Sequence, residues 1–407
     1  MVQVAVLGHG VVGSGVVEVI HQHKESIYKK AKQEINIKYI LDIREFPDLP
    51  YHNLFTKNFD EILNDEEVKI VIEVMGGINP AFEYVKKCLE NGKSVVTSNK
   101  ELVAQKGAEL LKIANDNNLN FLFEASVGGG IPVLRPIAQC LAANDLYEIN
   151  GILNGTTNFI LTKMDKENME FADALALAQK LGYAERDPGA DIDGIDSCRK
   201  ICILASLAFG KHVYPNQVYT EGIRNITLEQ KEYAQNFNGA IKLIGRSVLK
   251  ENGKISAAVY PAIVPYDNQL SHVEDVFNAI MVRGDAIGDV MFYGRGAGKL
   301  PTASAVVADV IDCGKHLSAR KYLSWSEGSE DYVENEEKSI SSFMICVKNQ
   351  NGIKDRITEI FGNVEFITRK NGEDEIAFVT PKEQEYKITE KLNLLNAAVL
   401  FKLHILD

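Results

Sequence analysis

A carboxylate and an ammonium group, Asp196 and Lys200, stand four positions apart at the start of an apolar run that continues through Ile201–Phe209. Residues at i and i+4 share one face of a helix, so these side chains can interact. A lysine beside an aspartate can give a proton to a carbonyl oxygen as hydride arrives, or take one from an alcohol in the reverse direction. From these residues alone, a helix-capping acidic loop with a surface ion pair is the favoured alternative.

Two further carboxylates, Glu185 and Asp191, lie in the loop that precedes this run. Carboxylates form charge-assisted hydrogen bonds with ammonium groups. They can therefore accept from the ammonium of a substrate, although the capping-loop interpretation would leave them solvated.

A glycine-rich turn follows the first apolar run, Val2–Leu7, and opens a helical stretch. The residues of the turn are Gly8, His9, Gly10, Val11, Val12 and Gly13. Glycines at this spacing allow a tight turn, close approach of a pyrophosphate and close packing of helix on sheet. The helix N-terminus then offers N–H donors and the positive end of its dipole to the phosphates. The turn predicts a dinucleotide site, although a glycine-rich turn without a ligand is common.

Two charged residues, Asp42 and Arg44, follow the second apolar run, which ends at Leu41. A carboxylate at this position would accept from a free ribose diol, whereas an arginine would suit a 2′-phosphate. The two signals point in opposite directions. Because Asp42 is nearer the strand end, we expect NAD slightly ahead of NADP, with two solvated loop charges as an equal alternative.

Composition and charge exclude several classes of protein. The 407 residues are 45% hydrophobic and 25% charged, which fits a globular chain of two or three domains. The formal net charge of −12 and the absence of a basic cluster argue against nucleic-acid binding. The sequence has no membrane segment, and its start, Val2–Leu7, lacks the features of a signal peptide. Six scattered cysteines favour reduced thiols, so we expect a cytoplasmic protein.

Short β-branched runs alternate with amphipathic stretches up to about residue 123, which predicts a parallel doubly wound sheet. The strands expected there are Val2–Leu7, Ile37–Leu41, Ile70–Val74, Ser94–Thr97 and Asn120–Phe123. Helices dominate afterwards, with strands expected at Glu148–Leu153 and Lys254–Ile263. We therefore expect an α/β protein with a Rossmann-like domain over 1–130, an α+β domain over 131–315 and an acidic linker over 316–338.

Residues 339–407 predict the order βαββαβ. The strands are expected at Ser341–Val347, Val364–Arg369, Glu375–Thr380 and Ala398–Leu406, and the helices at Ile353–Phe361 and Glu383–Asn393. With Lys348–Ile353 between the first strand and helix, this order resembles an ACT domain, a fold that often binds amino acids at dimer interfaces. The resemblance implies an amino-acid effector such as threonine. A mere tight connection at Asn351-Gly352 is an equal alternative.

Three stretches resemble the homoserine dehydrogenase family. The first is Glu73–Gly77 followed by Val95–Lys100, and the second is Glu124–Pro132. The third and most specific is Ala178–Lys200, with its spacing of alanine, glycine, Asp-Pro, Asp, Gly, Asp and Lys. Two shorter segments, Asn154–Asn158 and Gly294–Thr302, also resemble the family. Chance agreement over so many fixed positions is improbable.

The resemblance implies reversible hydride transfer between NAD(P)H and the aldehyde of L-aspartate 4-semialdehyde, giving L-homoserine. It implies that Lys200 is the proton donor and acceptor, that Asp196 orients the substrate or the lysine, and that Lys100 reaches the active site. Glu185 and Asp191 would contact homoserine. The implied cofactor contacts are Gly8, Gly10, Val11, Val12, Gly13, Asp42, Ser98, Lys100, Gly182 and Gly298.

The glycine-rich run Glu124–Pro132 lets carbonyl groups turn inward, and hard cations prefer oxygen ligands. The family resemblance implies a structural sodium ion held by Glu124 and the backbone of Val127, Gly129 and Ile131. From the residues alone, a plain interdomain hinge is favoured.

Two rival functions stay open at this point. One is another Rossmann semialdehyde or amino-acid reductase, and the other is a non-catalytic NAD- and amino-acid-binding sensor. The arrangement of Asp196 and Lys200 argues against the sensor. We expect a homodimer or homotetramer, because the family's second domain and ACT domains commonly pair.

Overall fold

The computed structural model describes residues 1–318 and 323–406. The chain forms two compact units. The first unit contains residues 1–146, 202–215 and 284–329, and the second contains 147–201, 216–283 and 330–407. Within the predicted linker, residues 319–322 lie outside the described part of the chain. The domain limits expected from the sequence stay a prediction.

The first part of the chain alternates strands and helices. Its strands are β1 (Val2–Leu7), β2 (Ile35–Leu41), β3 (Phe55–Thr56), β4 (Val68–Glu73), β5 (Ser94–Thr97) and β6 (Phe121–Leu122). Its helices are α1 (Val11–Gln22), α2 (Lys24–Ala31), α3 (Phe59–Leu63), α4 (Ala81–Glu90) and α5 (Lys100–Asp116). The strands form one parallel sheet in the order β3-β2-β1-β4-β5-β6. This is the strand order of a dinucleotide-binding fold, so the predicted Rossmann-like sheet is confirmed.

Burial on both faces explains why these strands read as apolar runs. Val4, Val6, Ile70 and Ile72, in the central strands β1 and β4, are all 0% exposed. A parallel sheet covered by helices on both sides needs such near-continuous apolar strands. The two-residue β3 was not predicted, because so short a segment gives no pattern.

The rest of the chain carries further strands and helices. The strands are β7 (Leu146–Ile152), β8 (Tyr219–Thr220), β9 (Gly239–Leu249), β10 (Ile255–Pro265), β11 (Phe277–Gly284), β12 (Gly288–Arg295), β13 (Ile340–Lys348), β14 (Glu365–Ile367), β15 (Glu375–Val379), β16 (Glu383–Gln384) and β17 (Val399–Ile405). The helices are α6 (Gly155–Glu167), α7 (Phe171–Lys180), α8 (Gly189–Ile192), α9 (Ile195–Phe209), α10 (Leu228–Asn236), α11 (Lys299–Lys315), α12 (Ile353–Phe361) and α13 (Glu385–Leu395). Among the described residues, no helix is both long and apolar enough to cross a bilayer.

The second unit is built on a mixed sheet in which the strands follow the order β11-β7-β9-β10-β17-β13-β15-β14. Strands β9 and β10 pair antiparallel along their whole length, and β17 joins β10 in parallel. From β13 to β17 the chain follows the predicted βαββαβ order, with the two-residue β16 as an addition. The C-terminal strands therefore continue the sheet that carries β7.

Strand β9 was not predicted from the sequence, because it carries one charged residue at a buried position, Lys242, and another at a half-buried position, Arg246. The ammonium of Lys242 donates to the carbonyl oxygen of Val273 at 2.6 Å, and Arg246 pairs with Glu148 at 2.8 Å. Buried charges need such partners. Since the partners come from distant segments, the local pattern could not reveal them.

Trp325 anchors the end of the first unit and is 6% exposed. Its Nε1 donates to Nδ1 of His212 at 2.9 Å, and Nε2 of His212 lies 3.0 Å from the carbonyl oxygen of Ala104. This pattern places the imidazole proton on Nε2. The indole also packs against Gly107, where a Cβ would lie 2.7 Å from the ring. The segment around Trp325 is therefore packed into the first unit.

Candidate active site

The second unit brings Asp196 and Lys200 together on α9, which begins at Ile195. The Nζ atom of Lys200 lies 2.8 Å from Oδ2 of Asp196 and donates to the carbonyl oxygen of Leu153 at 2.7 Å. Lys200 is 6% exposed and Asp196 is 3% exposed. The pair is therefore buried, and the interpretation as a surface ion pair is wrong. Electrostatic interactions inside such a site are stronger than in water.

Asn154 links this pair to Asp191. It is the N-cap of α6, and its Oδ1 accepts from the backbone N–H of Thr157 at 2.9 Å. Its Nδ2 donates to Oδ1 of Asp191 at 2.7 Å and to Oδ2 of Asp196 at 2.9 Å. Burial, and after it the negative charge of Asp196, raises the pKa of Asp191. A partly buried carboxylate of this kind gains by meeting a cation.

Glu185 and Gly182 lie in the exposed turn that follows α7. Gly182 adopts a φ of +77°, which a glycine tolerates without strain. The side chain of Glu185 is exposed, whereas Asp191 accepts from Asn154. The structure therefore brings Asp191 into the cluster and leaves Glu185 at the surface of this unit.

In the first unit, the glycine turn has the shape that a bound pyrophosphate needs. Gly8 adopts a φ of +99°, and a Cβ on Gly13 would lie 2.0 Å from the carbonyl oxygen of Gly8. A side chain at Gly13 would therefore force the turn away from α1. A Cβ on Gly10 would meet nothing within 4 Å. The turn is thus closed on its packed side and open at Gly10, where backbone can approach a phosphate.

Asp42 and Arg44 bind each other at the end of β2. Oδ1 of Asp42 accepts from the backbone N–H and from Nε of Arg44, at 2.9 and 3.0 Å. Oδ2 accepts from Nη2 of Arg44 at 2.9 Å and from the backbone N–H of His9 at 2.8 Å. The Arg44 guanidinium holds the pKa of Asp42 well below its usual range. The carboxylate is thus occupied by four donors.

A cavity of about 230 Å³ adjoins this pair. It is lined by Asp42, Arg44, Glu45, Phe46, Pro47, His52, Phe55, Thr56 and Lys57. The Arg44 side chain is 57% exposed, whereas that of Asp42 is 6% exposed. The side of the cavity at the end of β2 therefore presents the guanidinium more openly than the carboxylate.

The ends of β4 and β5 carry Glu73, which the sequence analysis did not single out as a site residue. Its Oε2 accepts from the Thr97 hydroxyl at 2.6 Å, and its Oε1 accepts from the backbone N–H groups of Met75 and Gly76 at 2.8 and 3.3 Å. Burial raises the pKa of Glu73. Glu73 therefore ties the loop after β4 to β5. A glutamate directly after the apolar run Ile70–Ile72 was the available signal.

Ser98 and Lys100 follow at the start of α5. Asn99 caps this helix by accepting from the backbone N–H of Leu102 at 3.1 Å, and its Nδ2 donates to the carbonyl oxygen of Gly77 at 2.6 Å. Lys100 is the first residue of α5. Gly298, with a φ of +125°, precedes α11 in the same unit. The implied cofactor residues thus fall in the first unit except Gly182.

The glycine-rich run from Glu124 folds into a tight turn. Oε1 of Glu124 accepts from the backbone N–H groups of Val133 and Leu134 at 2.6 and 2.8 Å, and Oε2 accepts from that of Arg135 at 2.8 Å. The carboxylate therefore serves the turn itself. Among the described residues, no group of three or more His, Cys, Asp or Glu side chains could hold a metal ion. The ligands available to a cation at this turn are therefore mainly backbone carbonyl oxygens, which suit a hard ion.

Two family models match the chain. The one described as homoserine dehydrogenase, NAD binding domain, matches residues 8–124, and the one described as homoserine dehydrogenase matches residues 132–311. A homoserine dehydrogenase of Bacillus subtilis (strain 168) is 37% identical over 97% of this chain and 95% of that protein.

Solved structures of homoserine dehydrogenases are also similar to this chain. The crystal structure of a homoserine dehydrogenase from Thiobacillus denitrificans has a TM-score of 0.89 and 32% identity, covering 100% of this chain and 98% of that chain. A hyperthermophilic archaeal homoserine dehydrogenase mutant in complex with NADPH has a TM-score of 0.64 and 29% identity, covering 77% of this chain and 97% of that chain. The similarity to the Thiobacillus denitrificans structure covers both units.

Proposed function

This chain belongs to the homoserine dehydrogenase family, and from that premise we propose which of its residues divide the work of the reaction. It is an NAD(P)-dependent oxidoreductase that interconverts L-aspartate 4-semialdehyde and L-homoserine. The rival functions of non-catalytic sensor and of another reductase are therefore set aside. When bound, the nicotinamide cofactor supplies or takes up the hydride. The protein positions the substrate and manages the proton.

Lys200 handles the proton. During reduction its ammonium gives a proton to the aldehyde oxygen as hydride reaches the aldehyde carbon, and during oxidation the neutral amine takes the proton of the hydroxyl group. The observation that carries this role is the buried position of Nζ, 2.8 Å from Asp196 and 2.7 Å from the carbonyl oxygen of Leu153. These two acceptors hold the ammonium in one place. Asp196 stabilises the charged form between turnovers.

The substrate ammonium pairs with Asp191, whose partly buried carboxylate gains a cation when substrate binds. Glu185, which is exposed on the turn after α7, contributes a second carboxylate to the substrate ammonium. For Lys100, at the start of α5, the family resemblance supports a role as an active-site residue. Each of these roles follows from the family resemblance and from the charge of the group.

The cofactor binds with its pyrophosphate at residues 8–13, where the open face at Gly10 and the N-terminus of α1 fit an anion. For the ribose, the engagement of Asp42 by four donors and the exposure of Arg44 favour a 2′-phosphate over a free 2′-hydroxyl group. We therefore propose a preference for NADP, in place of the slight preference for NAD that the position of Asp42 in the sequence suggested.

From the family resemblance we propose a structural sodium ion at the turn that begins at Glu124, whose two oxygens already accept from three backbone N–H groups. Glu124 and the backbone oxygens of Val127, Gly129 and Ile131 would hold it, and the ion would stiffen the turn without taking part in the proton transfer. Gly129 adopts a φ of +56°, which directs its peptide groups as only a glycine does readily. Thermal unfolding in sodium chloride should occur at a higher temperature than in N-methylglucamine chloride of equal ionic strength. Equal unfolding midpoints in the two salts would contradict the sodium site.

Assembly and regulation are proposed from the C-terminal strands. The βαββαβ segment from β13 to β17 resembles an ACT domain, and we propose that it binds an amino-acid effector in a homodimer or homotetramer. Because β17 pairs with β10, the segment belongs to the same sheet as β7, which ends just before Asn154. A change of sheet geometry on effector binding would thus reach the proton-transfer cluster.

Spectrophotometry of reduced cofactor tests the function directly. Purified protein with L-homoserine should form reduced cofactor with NADP, and more slowly with NAD. L-serine, which is one methylene shorter, is the matched control, and it should react poorly because its hydroxyl would not reach the position of Lys200 while its ammonium meets Asp191. Equal rates for both substrates, or no turnover of homoserine, would contradict the assignment.

A further inference from the structure

Asn154 lies where β7 ends and α6 begins, and its amide contacts two carboxylates at once. Its Nδ2 is 2.7 Å from Oδ1 of Asp191 and 2.9 Å from Oδ2 of Asp196. The residue is buried, with 5% exposed. An amide nitrogen carries two hydrogens, so each carboxylate can receive one.

The helix cap fixes which way this amide points. Oδ1 accepts from the backbone N–H of Thr157 at 2.9 Å, which leaves Nδ2 to face the carboxylates. Exchanging the two atoms would place an oxygen against two negative groups and would remove the cap. Serine and aspartate cap helices about as well as asparagine, but neither brings two N–H donors. The residue type therefore answers a need beyond capping.

The same junction also holds the lysine. The carbonyl oxygen of Leu153, one residue earlier, accepts from Nζ of Lys200 at 2.7 Å. Oδ2 of Asp196, which Asn154 contacts, lies 2.8 Å from the same Nζ. If Asp196 rotated away from Lys200, it would lose its bond to Asn154 as well. The amide thus keeps the carboxylate facing the ammonium.

The amide also moderates repulsion between like charges. Burial and the charge of Asp196 disfavour ionisation of Asp191, and the hydrogen bond from Asn154 acts in the opposite direction. In the described part of the second unit, the charged groups of this cluster are Asp191 on α8 and Asp196 and Lys200 on α9. Asp193, which follows α8, pairs with Arg224. Donors to a carboxylate lower its tendency to take up a proton.

We propose that Asn154 is a positioning residue that holds Asp196 against Lys200 and sets the pH range in which Lys200 exchanges a proton with the substrate oxygen. The inference rests on the proton role proposed above for Lys200. It assigns Asn154 no contact with the reacting atoms. Its two N–H donors act through Asp196 and Asp191.

The test compares Asn154→Ser with Asn154→Asp, since both keep a helix cap and both lose the donors. The measurement is kcat for homoserine oxidation as a function of pH. Asn154→Ser releases Asp196 from its place against Lys200, so the ammonium loses part of its stabilisation and we expect the low-pH limb to move downward. Asn154→Asp instead adds a negative charge beside the pair, so Lys200 keeps its proton to higher pH and we expect the limb to move upward by roughly one unit. The maximal kcat should fall about 10- to 100-fold through misplacement.

Asn268→Ser is the matched control. Asn268 caps the turn Gln269–His272 of the same unit and accepts from the backbone N–H of Leu270 at 3.0 Å. This variant should keep the limb of the natural protein. An unmoved limb in both Asn154 variants would overturn the inference, and so would failure of both to fold, because that assigns Asn154 a structural role alone. Near-normal turnover of Lys200→Ala would instead overturn the proposed proton role, so the two failures are distinguishable.

Discussion

The Arg44 guanidinium donates to both oxygens of the Asp42 carboxylate, which follows β2, with Nε 3.0 Å from Oδ1 and Nη2 2.9 Å from Oδ2. The sequence offered these residues as opposing signals for the cofactor, and the structure shows them as one ion pair. The Asp42 carboxylate is engaged in this ion pair, whereas the Arg44 side chain stays exposed beside the cavity.

Replacing Arg44 with alanine should reverse the preference between cofactors. The variant loses the guanidinium that suits a 2′-phosphate and frees Asp42 to accept from a ribose hydroxyl. We expect kcat/KM for NADP to fall about 10- to 100-fold, as for loss of one charge-assisted contact, and kcat/KM for NAD to hold or rise. Lys38→Ala is the control, because Lys38 lies on β2, the strand that precedes Arg44, and pairs with Asp65 at 2.5 Å. An unchanged ratio between the cofactors in Arg44→Ala would show that Arg44 does not read the ribose.

Replacing Lys200 with alanine should lower turnover by roughly 10²- to 10⁴-fold, the usual scale for loss of a general acid or base. Lys200→Arg keeps the buried positive charge but cannot give up its proton near neutral pH, so it should fold and remain slow. Lys112→Ala is a matched control, because Lys112 and Asp116 form another i, i+4 pair at 2.5 Å whose side chains are 74% and 60% exposed. Steady-state rates of homoserine oxidation measure all three. Rapid turnover in Lys200→Arg would argue that only the charge matters.

Gly352 and Gly362 flank α12, with φ values of +73° and +83°. Both substitutions to alanine strain the backbone, because Gly352 is left-handed helical with a ψ of 9° and Gly362, with a ψ of −152°, is in a region that only glycine adopts readily. If an amino-acid effector binds at the loop before α12, Gly352→Ala should weaken inhibition by that amino acid several-fold, whereas Gly362→Ala should not. The measurement is the concentration of threonine, or of another candidate amino acid, that halves turnover of the full chain. Equal sensitivity in the two variants would place the effector elsewhere.

His404 should make the protein sensitive to acid. Its ring stacks on Tyr260 with centroids 3.7 Å apart, and burial lowers its pKa from 6.5 to about 3. The folded state therefore resists protonation while the unfolded state accepts a proton, so the stability present above pH 6.5 is lost as the pH falls toward 3. Among the described residues Nδ1 has no hydrogen-bond partner, so His404→Phe should fold. Its unfolding midpoint should fall less than that of the natural protein between neutral pH and pH ~5.

His272→Phe is the control for this measurement, because His272 is exposed in the same unit. Its midpoint should follow the pH dependence of the natural protein. If His404→Phe also followed that dependence, another group would be responsible for the acid sensitivity.

The sequence by itself determined whatever depends on neighbours along the chain. The apolar runs and the glycine turn at residues 8–13 predicted the parallel sheet and its phosphate-binding loop, because strand burial and tight turns are read from local pattern. The spacing of Asp196 and Lys200 predicted that they share a helix face, and α9 carries both. The order of the C-terminal elements was likewise readable from periodicity.

Only the tertiary structure decided which polar groups leave water together. Lys200 is buried because segments distant in the sequence pack around it. Its bond to the carbonyl oxygen of Leu153 and the bonds from Asn154 to Asp191 and Asp196 all join residues more than thirty positions apart. The same holds for β9. Its buried Lys242 interrupts the apolar pattern of the sequence, and only the fold brings the carbonyl oxygen of Val273 to it as a partner. Desolvation and long-range partners are properties of packing, so no local pattern contains them.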